Sequence, residues 1–317
     1  MKKGVSEFIF KAIFVTVTGA LILAFFFKFA FSQVSLFGRI DVRELVVSLD
    51  HELEALSVIP DSNKIMSLGR EYDIQFECNE IISGDYSRDT EHIVFAPYFL
   101  RGDKLQAWTK RWKFPYSVAN FYYLANEKTK FIIVYDGSSF GFVNSLKIPE
   151  RFDVQYFNVN KLDLRRIKNN VLGADNVIFA LFSKNANVNE IKKQIPNGKI
   201  VYFDYQNNNI RFFNKNADSF YLGNEMLIGA IFNIDNYDCV KDESIKRLGM
   251  ISRMYKTKAS FLALKEQREE CRSKLIAISN SLDNFSKTKS KQIFYENMKN
   301  IEEQNDELEK NNCAAVF

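Results

Sequence analysis

A run of 20 residues near the N-terminus, 12–31, constrains the fold of this chain more than any other stretch. It reads AIFVTVTGALILAFFFKFAF, and its single ionisable side chain, Lys28, lies close to its end. About 20 predominantly apolar residues in an α-helix span the hydrocarbon core of a bilayer. The run therefore predicts a transmembrane helix that contacts the lipid bilayer and keeps the rest of the chain on one side of a membrane.

The residues beside this run predict its orientation. Lys2 and Lys3 precede it, and basic residues next to a membrane helix favour the cytoplasmic side. Lys28, Arg39 and Arg43 at the other end weaken that bias. The run is too long for a cleaved secretory signal, and no small-residue cleavage site follows it. We expect a single-pass protein of the cell membrane with its N-terminus in the cytoplasm and its main domain outside.

The four cysteines fit an oxidising exterior. No two lie closer than 32 positions along the chain, which excludes a paired zinc motif. An even number of dispersed cysteines beyond a membrane anchor predicts two disulfides, with four buried thiols as the alternative. Three connectivities are open. The disulfide candidates are Cys78, Cys239, Cys271 and Cys313.

Charge and motif content limit the possible functions. Residues 32–317 carry 39 Lys or Arg and 38 Asp or Glu, so this part has no net field that attracts nucleic acid. The only histidines, His51 and His92, are 41 residues apart. Neither a metal motif nor a G-x-S-x-G nucleophile motif is present. We expect no nucleic-acid partner, no metal and no cofactor, and the sequence favours a role other than catalysis.

The clearest architecture lies in residues 131–222. Apolar runs of strand length occur at 131–135, 154–159, 177–182 and 199–203, and helical spacing occurs at 161–172 and 188–195. Strands that are apolar on both faces and alternate with helices are typical of a parallel sheet covered on both sides. The pattern predicts a Rossmann-like or flavodoxin-like α/β domain. A hairpin at its edge is expected near Ile210 and Phe213.

Polar residues follow three of these strands. In such folds ligands bind beyond the carboxyl ends of the strands, where Asp136, Ser183 and Asp204 are expected. The turn after the first strand is rich in glycine and serine and can offer backbone N–H groups to a phosphate. Helix capping is the competing interpretation, because neither dinucleotide nor P-loop motifs are present. The candidate ligand-binding residues are Asp136, Gly137, Ser138, Ser139 and Asp204.

Helices are expected at both ends of the globular part. Apolar spacing over 42–56 predicts an amphipathic helix after a hinge at 32–39, and alternation at 74–78 and an apolar run at 93–97 predict strands. Trp108 and Trp112, four residues apart, are predicted on one face of a helix. Apolar stripes from Val240 onward predict a helical hairpin with a break or change of face near Leu262, then a last helix from Phe294.

These patterns divide the chain into three parts. Residues 1–38 form the anchor and hinge, 39–238 an exterior α/β domain, and 239–317 a C-terminal helical unit. The overall prediction is an α/β protein with an N-terminal transmembrane helix, a parallel-sheet domain and a C-terminal helical hairpin. Both hairpin packing within the chain and a coiled coil between chains fit the apolar stripes.

The N-terminus resembles an archaeal class III, or type IV pilin-like, signal. The resemblance is carried by Lys2, Lys3, Gly4 and Val5 before a long apolar helix. It implies cleavage between Gly4 and Val5, after which the apolar helix remains as an anchor or a filament core. Glu7 would be third in the cleaved chain, whereas pilins usually have their glutamate fifth.

Scattered residues across most of the chain resemble a group of archaeal single-pass membrane proteins of unknown function. This resemblance implies an anchor with an exterior domain and no particular activity. The residues concerned are 93–97, Trp108, Trp112, Pro115, 120–124, 229–232, Tyr237, Cys239 and Cys313.

Three functions fit the sequence. The first is a membrane-anchored extracytoplasmic interaction or surface-assembly protein without catalysis, which binds a protein partner or itself. The second is a membrane-tethered α/β enzyme or ligand sensor with its site at the strand ends. The third is a pilin-like filament subunit.

Overall fold

A computed structural model describes the backbone of residues 3–59 and 61–317, and side chains of residues 16–20, 22–28, 41–59, 61–285 and 287–317. The first element is one helix, α1 (Lys3–Ser57), which continues through the predicted hinge. Among residues with described side chains, no helix combines the length and apolar character that a membrane crossing needs. The predicted membrane run 12–31 lies partly outside these side chains, and Gly4 and Val5 lie wholly outside them.

The first sheet has six strands in the order β3-β2-β1-β5-β6-β4, all antiparallel except the parallel pair β4–β6. The strands predicted at 74–78 and 93–97 are confirmed as parts of β1 and β4. The six strands are β1 (Asn63–Glu77), β2 (Glu80–Ser83), β3 (Tyr86–Asp89), β4 (Ile93–Phe95), β5 (Phe99–Lys113) and β6 (Ser117–Ala125).

The helix predicted around the two tryptophans is wrong. Trp108 and Trp112 lie in strand β5, where both are buried on the same face of the sheet. A spacing of four residues brings side chains to one face of a strand as well as of a helix, so the spacing alone did not separate the two. The indole N–H of Trp112 donates to the carbonyl of Leu222, 2.8 Å away.

The second sheet has the order β12-β11-β10-β9-β7-β8, and its strands β8, β7, β9 and β10 are parallel. The predicted parallel sheet and its edge hairpin are confirmed. The elements are β7 (Thr129–Tyr135), α2 (Phe140–Ser145), β8 (Val154–Asn158), α3 (Leu164–Asn170), β9 (Asn176–Leu181), α4 (Val188–Gln194), β10 (Lys199–Asp204), β11 (Asn209–Phe212) and β12 (Ala217–Phe220).

A short helix joins the two sheets. In α5 (Gly223–Phe232), every residue from Met226 to Phe232 is buried, and the helix contacts β5 and β6 of the first sheet and β9 of the second. A helix that is apolar all round belongs in a core. One continuous cluster of buried side chains accordingly runs from the first sheet through α5 to the second. The opposite face of the first sheet packs against α1. The opposite face of the second sheet packs against α3 and α4.

Three helices complete the fold: α6 (Tyr237–Lys265), α7 (Glu269–Lys287) and α8 (Lys291–Lys310). The break predicted near Leu262 occurs after Lys265. Helix α7 packs against both α6 and α8, and α6 also contacts strands β4 and β6. The structure is thus a mixed α/β protein with two six-stranded sheets and C-terminal helices.

Both predicted disulfides are present, and the structure gives their connectivity. Cys78 bonds to Cys239, which joins the β1–β2 turn to the first turn of α6. Cys271 bonds to Cys313, which joins the start of α7 to the segment after α8. The segment after α8 is packed as well, because the buried Asn305 side chain accepts a 2.8 Å hydrogen bond from the Val316 N–H.

Candidate functional site

The polar residues predicted at the strand ends do come together. Strands β7, β9 and β10 are neighbours, so Asp136, Ser183 and Asp204 lie at one edge of the second sheet. From β7 the chain goes to β8 on one side and then to β9 on the other, which makes the β7–β9 boundary a switch point of the sheet. Ligands in parallel α/β sheets bind at such points.

The Asp136 carboxylate, however, is bonded within its own turn. Its Oδ1 accepts hydrogen bonds from the backbone N–H groups of Ser138 and Ser139, both at 3.0 Å, and from the Ser138 hydroxyl at 2.6 Å. The hydrogen bond from the Ser138 hydroxyl lowers the pKa of Asp136 to about 2, and hydrogen bonds from Ser183 and Ser139 act in the same direction. Partial burial raises this pKa but has the smaller effect. Asp136 is therefore an ionised group that holds the β7–α2 turn closed.

The other candidates are also involved in local structure. The Asp204 carboxylate accepts a 2.8 Å hydrogen bond from the Asn207 side chain, which closes the β10–β11 turn. The Tyr205 hydroxyl donates to the carbonyl of Ser138, 3.2 Å away, and so ties this turn to the β7–α2 turn. No atom lies within 4 Å of a methyl group built on Gly137, so no close approach requires glycine there. The five residues share one edge of the sheet, and the hydrogen bonds of Asp136 and Asp204 close their own turns.

We expect the variant Asp136→Asn to lose about 1–2 kcal/mol of unfolding free energy at pH 7. The asparagine side chain still offers an oxygen that accepts hydrogen bonds in the turn, but it carries no negative charge. Because this position is partly exposed, solvent screens part of the stabilisation that the lowered pKa represents. Because the pKa of Asp136 is lowered from 3.8 to about 2 in the folded chain, its stabilisation is complete above the unfolded pKa. It is lost as pH falls toward 2. Urea denaturation between pH 2 and 7 measures this difference, and equal stabilities at pH 7 would contradict it.

A large opening, which we call the α6 cleft, lies beside helix α6 and the first sheet. It has a volume of about 1300 Å³ and is bounded by the end of α1, the loop before β4, α6 and the α7–α8 turn. The disulfide Cys78–Cys239 lies in its wall, with Cys239 exposed and Cys78 half-buried. Nearby, the Asn236 side chain donates a 3.0 Å hydrogen bond to the carbonyl of Phe76. The covalent bond and this hydrogen bond fix α6 beside the sheet.

The α6 cleft is positively charged. Six Lys or Arg side chains and four carboxylates line it, an excess of two positive charges. Some of the cations are paired: Lys241 lies 2.9 Å from Asp238, and Lys246 lies 2.5 Å from Glu243. Three others have no carboxylate within 4.0 Å among the described side chains. These three cations are Arg247, Arg253 and Lys289.

A histidine at the edge of the cleft lies near a carboxylate without a hydrogen bond to it. His92 Nε2 lies 3.8 Å from Asp50 Oδ1, which is longer than a hydrogen bond. Asp50 is held by the Thr90 hydroxyl at 2.9 Å and by Arg88 Nε at 3.0 Å. A base that activates a nucleophile is normally oriented by a direct hydrogen bond, which His92 lacks. Within the described part of the chain, no cluster of three or more His, Cys, Asp or Glu has the arrangement of a metal site.

The α6 cleft was not predicted from the sequence. Its walls come from residues as distant along the chain as Glu54, His92, Arg253 and Lys289, so no local spacing marks it. Comparisons of this chain with protein-family models, with curated proteins and with solved structures found no match.

Proposed function

We propose that this chain is a membrane-anchored extracytoplasmic interaction protein, and that the α6 cleft binds an anionic part of its partner. The proposal depends on the charges of the cleft. Arg247, Arg253 and Lys289 line it without described carboxylates to neutralise them. Cations that are unpaired within the chain and lie in a concave site attract and orient negative groups of a ligand.

The membrane placement is supported by the sequence and by the disulfides. The apolar run 12–31 has the length of a bilayer crossing, and Lys2 and Lys3 precede it. All four cysteines are paired. Stable structural disulfides are typical of compartments outside the cytosol. We infer an anchor at the N-terminus and a globular part on the exterior face.

We also infer that the second sheet is a flavodoxin-like doubly wound unit. The parallel order β8-β7-β9-β10, in which the first strand lies inside the second, supports this assignment. The hydrogen bonds of Asp136 and Asp204 within their own turns favour a structural role for its strand-end edge, so the sensor or enzyme hypothesis takes second place.

Charge reversal in the α6 cleft is expected to weaken its binding of anionic chains. We expect the pair Arg247→Glu and Arg253→Glu to weaken binding of a fluorescent poly-glutamate peptide at least about tenfold at low salt, since two attractive charges become repulsive. Fluorescence anisotropy with the full chain in neutral-lipid nanodiscs measures this. The matched control pair Arg165→Glu and Arg166→Glu lies on α3, away from the cleft. Equal losses in both pairs would indicate an effect of net charge alone and would contradict the proposal.

Protease treatment of intact cells tests the location. We expect an external protease to remove the globular part while a cytoplasmic marker stays intact. A maleimide reagent should label no cysteine before reduction and all four after denaturation and reduction, because both bonds form in an oxidising compartment. Protection of the globular part in intact cells, together with free thiols, would contradict an exterior location.

A further inference from the structure

Helix α6 has an exposed apolar line on its outer face. Met250, Met254, Phe261 and Leu264 are 44%, 67%, 58% and 79% exposed, and we call them the α6 stripe. The opposite face of the helix is buried, for example at Leu248 and Ala259. Single exposed apolar residues are common, but a contiguous row marks an interaction surface.

The spacing of the stripe matches a helix-pairing seam. Its members follow each other by four, seven and three residues, the a and d spacing of a heptad with Thr257 at the remaining position. The row is narrow, about one side chain per turn. Such a row fits a second helix, whereas helices that lie in a lipid surface present a broad apolar face.

The charges beside the stripe define its partner. Between Ser244 and Lys265 the chain has six Lys or Arg residues and no Asp or Glu. Three of the six are engaged within the chain: Lys246 lies 2.5 Å from Glu243, Lys256 lies 2.7 Å from Asp283, and Lys258 donates to the carbonyl of Val316. Lys265 lies over the Phe261 ring at 5.6 Å. Basic residues along both sides of a seam repel an identical helix and favour one with acidic flanks.

We propose that the α6 stripe docks an amphipathic helix of a partner protein that carries Asp or Glu on both sides of its apolar face. The stripe continues into the α6 cleft, because Met250 and Arg253 belong to the cleft wall as well. A helix on the stripe therefore delivers acidic residues to Arg247 and Arg253. The two methionines add flexible apolar contact area that adapts to the partner. This inference rests on the proposed interaction function and names the class of its partner.

The test uses two synthetic peptides of about four heptads with leucine at the a and d positions. One peptide has glutamate at the flanking e and g positions and the other has lysine. Anisotropy titrations use the full chain in phosphatidylcholine nanodiscs. We expect the glutamate peptide to bind at least about tenfold more tightly than the lysine peptide. Equal binding of the two peptides, or binding of neither, would overturn the proposal.

Variants test whether the peptide binds at the stripe or elsewhere on the surface. We expect Phe261→Ser with Leu264→Ser to weaken glutamate-peptide binding at least about tenfold, since these two large side chains form the C-terminal half of the stripe. Leu172→Ser removes a side chain that is 76% exposed elsewhere and should leave binding unchanged. Arg253→Glu with Lys265→Glu should move the preference toward the lysine peptide. Equal loss in the Leu172 variant would overturn the assignment to the stripe.

Two other occupants are outcomes that overturn the proposal. Sedimentation velocity that shows dimers dependent on Phe261 and Leu264 would identify a second copy of this chain. Co-sedimentation of the nanodisc-held chain with vesicles of equal phosphatidylcholine and phosphatidylglycerol, dependent on the same residues and without peptide selectivity, would identify a lipid surface. Failure of the peptide test with a protease-accessible globular part overturns the partner class alone. A protected globular part with an intact peptide result overturns only the exterior location.

Discussion

Replacing Cys78 and Cys239 by alanine is expected to lower the unfolding free energy by about 5 kcal/mol. The bond closes a loop with a sequence separation of 161, and the chain-entropy model gives about that cost for such a loop. Cys239 is exposed and Cys78 half-buried, so little packing is lost with the sulfurs. For the residues after the apolar run, 32–317, this corresponds to a decrease of about 8 °C in Tm. Calorimetry of the full chain in detergent measures it.

The second disulfide provides the matched comparison. Cys271 and Cys313 have a sequence separation of only 42, so the same model gives about 4 kcal/mol for Cys271→Ala with Cys313→Ala. Cys271 is buried, so this pair also loses some packing. The distinguishing result is the structural effect. Loss of Cys78–Cys239 should loosen α6 from the first sheet and expose amides of α6 to hydrogen exchange, whereas loss of Cys271–Cys313 should loosen only α7 and the segment after α8. Identical exchange patterns would contradict this difference.

The second sheet could be predicted because its strands are apolar on both faces and its helices are short and regular. The runs at 131–135, 177–182 and 199–203 became β7, β9 and β10 with boundaries changed by at most about two residues. Parallel strands in a covered sheet carry this signal in local sequence. The carboxyl ends of neighbouring parallel strands meet at one edge of the sheet. For this reason the sequence alone could bring Asp136, Ser183 and Asp204 to the same edge.

The first sheet and α5 carried weaker signals. Strand β3 is short and polar, and β5 contains the tryptophan pair whose spacing fits helix and strand equally. Helix α5 has no polar face because both sheets cover it, so the periodicity of an amphipathic helix was missing. The chemistry of a site is harder to predict from the sequence than the fold. The hydrogen bonds of Asp136 and the α6 cleft depend on how distant segments pack, which local patterns do not encode.

Gly229→Ala is expected to lower the unfolding free energy by about 2 kcal/mol, although alanine normally stabilises a helix by about 1 kcal/mol over glycine. A methyl group on Gly229 would lie 2.6 Å from two ring carbons of Phe95. Phe95 is fully buried, and its ring centre lies 5.1 Å from that of Phe121 and 5.9 Å from that of Tyr123. The ring therefore has no free space. Overpacking of a filled core costs up to about 3 kcal/mol, and the helix preference of alanine offsets about 1 kcal/mol of that cost.

The control for this prediction is Gly141→Ala in helix α2, where no atom lies within 4 Å of the added methyl group. That variant should be neutral or more stable by up to about 1 kcal/mol. Adding Phe95→Leu to Gly229→Ala should recover part of the loss, because the smaller side chain vacates the space that the methyl group needs. Chemical denaturation of the wild-type chain, Gly229→Ala, Phe95→Leu and the double variant measures the coupling. If the two changes are additive, the contact between α5 and β4 does not limit how closely this helix approaches the first sheet. The joining of the two sheets would then rest on the aromatic packing around Trp112 and Phe232 instead.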